Sequence, residues 1–309
     1  MLRRAFLTAS NSRMLRRAAT DLPVARTVAR RFVAGETLED ALAVTQTLNR
    51  QGMSVTLDYL GEAVRDADIA RAASAVYIEA LAQIEARGLE CGVSVKPTAV
   101  GLDVSRELCH ELVTAICARA DAVGEHVTLD MESSEYTQAT VDLVLALRAE
   151  GYGNVGCAVQ SYLKRTADDV DKLVASGASL RLCKGAYAEP ESVAYQDDTE
   201  VTRSYARLAD TLLRSGTYPR IATHDHRLIH HVRNLARRYQ LDTSDYEFQM
   251  LYGVREPLQK QLIDEGYRLR IYVPFGSEWY PYLVRRIAER PANVIFFARA
   301  LTGRRAHRA

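Results

Sequence analysis

At 309 residues, with 48% hydrophobic and 26% charged side chains, the chain can bury a substantial core as one large domain or two small ones. No run of 18 apolar residues occurs, which excludes a membrane-spanning helix. A net charge of +1 gives no overall bias toward nucleic acid, which is not an expected partner.

The charge is nevertheless uneven. Residues 1–31 carry eight arginines and a single acid, Asp21, leaving 32 basic against 38 acidic residues in the remainder. Two readings stand for this start: an organelle transit peptide, or a structural helix with one basic face that lies on an anionic membrane. Helical apolar spacing that continues into 35–42 without a small-residue cleavage cluster favours the second. Residues 1–50 are accordingly expected to form a helical segment packed on a catalytic domain spanning 51–309.

From residue 54 onward, short β-branched runs alternate with stretches of helical periodicity. Strands are expected at 54–60, 91–97, 126–132, 155–162, 179–186, 220–225, 246–251 and 268–275. Helices are expected at 67–87, 105–124, 137–150, 166–176, 201–215, 228–239, 256–265 and 279–290. Eight strands each followed by a helix describe a (β/α)8 barrel of the TIM type. A doubly wound sheet would announce a glycine-rich phosphate turn after its first strand, and none is present. The five cysteines form no CxxC pair, and Cys91, Cys157 and Cys183 fall in expected strands as small buried hydrophobes. A reducing, cytoplasmic setting is the expectation.

Active sites of such barrels lie at the C-terminal ends of the strands. Polar residues concentrate there: Lys96, then Asp130-Met131-Glu132, Gln160, Arg181 with Lys184, Thr223-His224-Asp225 and Tyr272. Lys96 and Asp130 end adjacent strands and would meet as an ion pair. Arg181 and Lys184, three apart, begin on opposite faces of a strand, so only a bend near Gly185 would turn both toward one ligand. Arg285 and Arg286 follow the last strand, and two guanidinium forks can clamp one carboxylate if their helix runs across the pocket mouth. With five cations on one rim, an anionic ligand is expected. His224 and His226 share a strand face and admit a metal-dependent hydrolase as the alternative, although no third ligand is evident; no metal is the preferred reading. Tyrosines 187, 252, 272, 280 and 282 cluster near the ends of strands 5, 7 and 8 as an apolar wall with hydroxyl tips.

Nine segments in order resemble the proline dehydrogenase family: LDYLGE (57–62), SVKPTAVGLD (94–103), LDMESSEYT (129–137), QSYLKRTADDV (160–170), RLCKGAYAEP (181–190), ATHDHRLI (222–229), FQMLYGVRE (248–256), RIYVPFG (270–276) and WYPYLVRRIAERPANV (279–294). The resemblance covers roughly residues 35–300. It implies a distorted barrel that binds FAD and oxidises L-proline to 1-pyrroline-5-carboxylate, passing electrons to a membrane quinone in the first step of proline catabolism. It further implies that Arg285 and Arg286 hold the proline carboxylate, that Lys96 and Asp130 line the substrate side, and that Glu289 orients Arg285. Tyr272 and Tyr282 would pack on the pyrrolidine ring with Leu251 and Tyr187 nearby. Met131, Gln160, Arg181, Lys184, Gly185, Ala186, Thr223 and His224 would contact the flavin, with Asp130 and Arg181 as the catalytic pair. The basic start would be a peripheral contact with the inner membrane face.

Overall fold

The computed structural model describes residues 29–215 and 218–288. Eight parallel strands close into a barrel in simple sequential order, the eighth pairing with the first. They are β1 (Ser54–Tyr59), β2 (Cys91–Val95), β3 (Val127–Leu129), β4 (Val155–Gln160), β5 (Ser179–Cys183), β6 (Arg220–Ala222), β7 (Glu247–Leu251) and β8 (Leu269–Phe275). An initial helix α1 (Leu38–Arg50) precedes them. The strands are followed in turn by α2 (Ala67–Ala86), α3 (Arg106–Ala122), α4 (Ser134–Ala149), α5 (Thr166–Ala175), α6 (Asp198–Arg214), α7 (His226–Arg238), α8 (Glu256–Asp264) and α9 (Trp279–Ala288).

Every strand starts within one residue of its expected position, but six end short of it. The expected strand 126–132 shrinks to three residues, and 91–97 stops at Val95, because Pro97 opens a 3-10 turn (Pro97–Val100) where its missing N–H costs nothing. The residues left over are the polar ones at the strand ends. They leave the ladder and become the rim.

Strand parity divides the side chains cleanly. Val55, Leu57, Val93, Val95, Val127, Leu129, Val159, Leu180, Leu182, Ile221, Phe248 and Ile271 are all essentially fully buried and belong to one continuous cluster with the apolar faces of the helices. The residues of opposite parity, among them Asp58, Ser94, Thr128, Arg181, Arg220, Glu247, Gln249, Arg270 and Tyr272, make up the barrel interior. The hydrophobic core is therefore the shell between sheet and helices, while the barrel lumen is polar. Cys91 and Cys157 lie in the shell as expected; Cys183, at the end of β5, is only half-buried.

Helices α1 and α9 depart from the repeat. Thr37 and Asp40 close a capping box at the start of α1, and Ala41, Leu42 and Leu48 bury its inner face against β1 and β8. That is the wall position which a helix following β8 would ordinarily take. Helix α9 instead packs Trp279, Tyr280, Tyr282, Leu283 and Val284 against Ala29, Phe32, Val33 and Leu60, with Val254 and Tyr272 at the margin. Its neighbours are the ends of β1, β7 and β8, so α9 lies over the barrel mouth. The expectations placed on residues 1–28 fall outside the described residues.

Candidate active site

Parity places Asp58, Ser94, Arg181, Gln249 and Tyr272 in the upper barrel, and Lys96 and Asp130 follow directly on their strands. Lys96 Nζ lies 2.6 Å from Asp58 Oδ1 and 3.6 Å from Asp130 Oδ2. The expected Lys96–Asp130 pair thus exists, but Asp58 is the closer partner. Asp130 also accepts from Arg181 Nη1 at 2.7 Å, from Ser94 Oγ at 2.7 Å and from the Tyr272 hydroxyl at 2.6 Å. Arg181 is fixed from its other side, where Nε donates to Gln249 Oε1 at 2.7 Å, and its guanidinium lies 5.2 Å from the Tyr272 ring centroid.

Burial opposes the charge on Asp130, but Lys96 and Arg181, with the bonds from Tyr272 and Ser94, outweigh it and hold the carboxyl below its usual range. Burial likewise opposes the Lys96 charge and is overcome by Asp58 and Asp130, which raise its pKa. Burial pushes the Asp58 carboxyl up against the pull of Lys96. Within this cluster, Arg181 Nη2 and Asp58 Oδ2 are buried and have no hydrogen-bond partner among the described residues. Such atoms are costly unless a ligand satisfies them.

The clamp expected from α9 comes with a counter-ion that sequence reading overlooked. Arg285 Nη1 donates to both carboxylate oxygens of Glu62, at 2.9 and 3.0 Å, across the mouth from the loop after β1. Burial works against the Arg285 charge, yet Glu62, Tyr187 and Asp58 raise its pKa. Tyr187, in the loop after β5, has its hydroxyl pKa pushed up by burial against the pull of Arg285, which places it in the same group. The Arg286 guanidinium lies 5.1 Å from the Tyr282 ring centroid. The expected orienting residue, Glu289, lies outside the described residues.

An excess of unpaired cations was expected here, and the structure corrects it. Asp58, Asp130 and Glu62 balance Lys96, Arg181 and Arg285. Lys184 lies 3.7 Å from Asp225 and donates to Thr202 at 3.4 Å. β5 ends at Cys183, so Lys184 sits on the outer rim and does not join Arg181 at Asp130. The bend expected at Gly185 is real, with φ at +111°. A Cβ there would overlap the Tyr162 ring, so glycine is required.

The remaining expected positions occupy one continuous arc of the rim. Met131, Gln160 and Thr223 are buried, and Gln160 Nε2 donates to the Glu132 carbonyl at 2.8 Å. Ala186 follows Gly185 in the turn after β5. Leu251 is half-buried at the end of β7. Its N–H donates to His224 Nε2 at 3.0 Å, so that nitrogen is the acceptor of the ring. His226 begins α7 and lines a cleft with Ile229, His230 and Leu258 on the outer wall. Among the described residues no group of three or more His, Cys, Asp or Glu is placed to hold a metal, and the hydrolase alternative is not favoured.

The sequence pattern of the family described as proline dehydrogenase matches residues 41–299. The chain belongs to the proline dehydrogenase family. Proline dehydrogenase 1 of Bacillus subtilis (strain 168) is 38% identical over 301 residues, covering 97% of this chain and 99% of the relative. Proline dehydrogenase of Deinococcus radiodurans is 38% identical over 278 residues, covering 89% and 90%. The crystal structure of proline utilization A (PutA) from Bdellovibrio bacteriovorus inactivated by N-propargylglycine superposes with a TM-score of 0.81 at 26% identity, over 86% of this chain and 33% of that one. The chain spans about a third of that longer protein. It is thus an oxidoreductase of proline metabolism on a (β/α)8 barrel, and the resemblance in the sequence holds.

Sequence reading named Lys96, Asp130, Arg181, Tyr272 and Arg285, which the fold brings together. It did not name Asp58, Glu62, Ser94 or Gln249. Parity held the missing signal: Asp58 lies at the end of β1, Ser94 two before Lys96, and Gln249 two before Leu251, each on an inward position of its strand.

Proposed function

We propose that this enzyme oxidises L-proline to 1-pyrroline-5-carboxylate with FAD as cofactor and a membrane quinone as electron acceptor, as the first step of proline catabolism to glutamate. The observation that carries this reading is the pairing of a clamp with a floor. Arg285 is held over the mouth by a single carboxylate, above the cluster of Lys96, Asp130, Arg181 and Tyr272.

The two sets of residues separate around the rim. Met131, Gln160, Arg181, Lys184, Gly185, Ala186, Thr223 and His224 come from the ends of β3 to β6 and would hold the flavin. The unpartnered Nη2 of Arg181 fits an acceptor on that ring system. Lys96, Tyr187, Leu251, Tyr272, Tyr282, Arg285, Arg286 and Glu289 would hold the substrate. When bound, FAD supplies the hydride acceptor.

In this reading the substrate carboxylate meets Arg285 and Arg286. Only Nη1 of Arg285 is committed to Glu62 among the described residues, so its other N–H groups serve an incoming carboxylate. Tyr272, fixed through its hydroxyl to Asp130, presents its ring to the pyrrolidine and fixes the approach. Asp130 has its oxygens taken by Ser94, Arg181, Tyr272 and Lys96 and its pKa depressed, so it organises the floor and does not exchange a proton. Lys96 is held charged and is likewise no base. With these two groups set aside, this reading assigns the substrate amine's proton to solvent, released before hydride would leave. Arg181 favours the negative charge that accumulates on the cofactor side.

Placement at the cytoplasmic face of a membrane, with contact through the basic residues 1–31, belongs to the same proposal. Deletion of that segment is expected to weaken binding to anionic vesicles, and unchanged binding would sink that part. The central test is the visible spectrum of the purified protein before and after anaerobic L-proline. Flavin bands that bleach are expected; bands that persist would remove proline as substrate, and a colourless protein that FAD cannot reconstitute would remove the flavin.

A further inference from the structure

The loop between β5 and α6, residues 184–197, carries Tyr187 and is tied down at both ends. Gly185 passes over the Tyr162 ring with no room for a side chain. At the far end Leu163 and Ala194 form an antiparallel bridge, the Lys164 N–H donates to the Val193 carbonyl at 2.9 Å, and the Tyr195 N–H donates to the Tyr162 carbonyl at 2.8 Å. The middle is held differently. Glu189 leaves its own loop and reaches the start of α4, where it accepts from the Ser134 N–H at 2.7 Å and from the Ser134 hydroxyl at 2.5 Å.

This contact is built. Glu189 is 8% exposed, and its carbonyl accepts from Gln196 Nε2 at 3.2 Å, which fixes the backbone beneath the side chain. The N-cap residue of α4, Ser133, makes no side-chain bond to the helix. Glu189 supplies the missing cap from another loop, placing a negative charge at the positive end of the helix dipole. The two loops so joined carry the floor and the wall of the site. Ser134 follows Asp130-Met131-Glu132 directly, and Glu189 lies two residues after Tyr187.

We propose that Glu189, through its two bonds to Ser134, is a positioning residue that fixes Tyr187 over the substrate. The inference rests on the reading of Tyr187 as a substrate contact. Without the carboxylate, the segment between Gly185 and Pro190 is anchored only at its ends, and Tyr187 samples positions away from Arg285. Substrate capture suffers while the Asp130–Arg181 floor keeps its geometry.

The test is steady-state kinetics with L-proline on the flavin-loaded full chain, together with equilibrium inhibition by a non-oxidisable proline-like carboxylate. Glu189→Ala is expected to raise KM and the inhibitor dissociation constant about tenfold with kcat changed less than about twofold, a loss of the size expected for one charged hydrogen-bonded contact. Glu189→Gln keeps an oxygen for the Ser134 N–H and an amide for its hydroxyl, so it is expected to restore most of the affinity. Ser134→Ala, which retains the N–H bond, should fall between parent and Glu189→Ala and serves if the latter folds poorly. In a Tyr187→Ala background, Glu189→Ala should add nothing further to KM. A full additional tenfold in that background, or a fall in kcat at unchanged KM, overturns the proposal. If Tyr187→Ala alone leaves KM unchanged, the substrate reading of Tyr187 fails and the inference with it; if Tyr187→Ala raises KM and Glu189→Ala does not, only the latch fails.

Discussion

Single residues in this barrel owe their properties to what surrounds them, and Glu132 shows this best. It is buried at the end of β3, accepting from the Thr98 N–H at 3.0 Å and the Thr98 hydroxyl at 2.6 Å, and burial pushes its carboxyl up to about 7. Between the ordinary value of 4.5 and about 7, the folded chain holds a proton that the unfolded chain has released. The contribution of this group to stability is therefore full at low pH and is lost as pH rises through about 7. Glu132→Gln keeps an oxygen for the Thr98 N–H, reverses the hydroxyl contact so that the amide donates to it, and removes that ionisation. It is expected to gain about 2–3 kcal/mol over the parent at pH 8 and little at pH 5 in urea unfolding. An equal difference at both pH values would contradict it. Arg285 acts at the same scale. Replacing it with Met removes a charged contact, so KM for proline should rise between about tenfold and a hundredfold with flavin content intact. Loss of flavin at unchanged KM would reverse the assignment of the rim.

At the scale of elements, two helices exchange the places that chain order suggests. Helix α1 covers the seam between β8 and β1, and α9 is thereby released to lie over the mouth and carry Arg285 inward. The physical condition is that the seam stays covered by apolar side chains, and Leu42, 1% exposed, is central to that cover. Leu42→Ala should cost about 2–5 kcal/mol of stability in denaturant unfolding. A loss under about 1 kcal/mol would mean that the seam collapses onto the gap or does not depend on α1. Only part of this exchange was legible in the sequence: the paired arginines call for a helix across the mouth, but nothing local assigns α1 to the seam between β8 and β1. The periodicity of 279–290 announces a helix but cannot say whether it packs on the wall or over the mouth, because its apolar residues suit either surface. The strand starts were legible because β-branched runs begin sharply. Six of the eight ends were not, because the last polar residues of those runs belong to the rim.

For the molecule as a whole, the lumen holds a connected column of charge in place of apolar layers. From the rim it runs through Asp58, Lys96, Asp130 and Arg181 to Gln249, whose amide lies 2.5 Å from Glu247, and on to Arg270 at 2.9 Å. Arg220 completes the floor, with its Nε 3.7 Å from Glu247. Burial works against the Glu247 charge, but Arg270 and Arg220 outweigh it and hold its carboxyl below the usual range. Its contribution is present above the unfolded value and is lost as pH falls through the depressed one. Glu247→Gln should leave the buried Arg220 and the partly buried Arg270 without their shared carboxylate and cost about 3–5 kcal/mol at neutral pH, with the deficit shrinking in acid. A variant as stable as the parent at pH 7 would show that the column is dispensable.

The sequence by itself determined the eightfold alternation, the family and the cationic members of the site, because these depend on local periodicity and on residue types at strand ends. Only the tertiary structure decided which carboxylates answer those cations. Asp58 and Lys96 are 38 positions apart and Arg285 and Glu62 are 223 apart. Which charges neutralise one another inside a closed barrel depends on which strand ends converge. That convergence is a property of closure, and no local pattern encodes it.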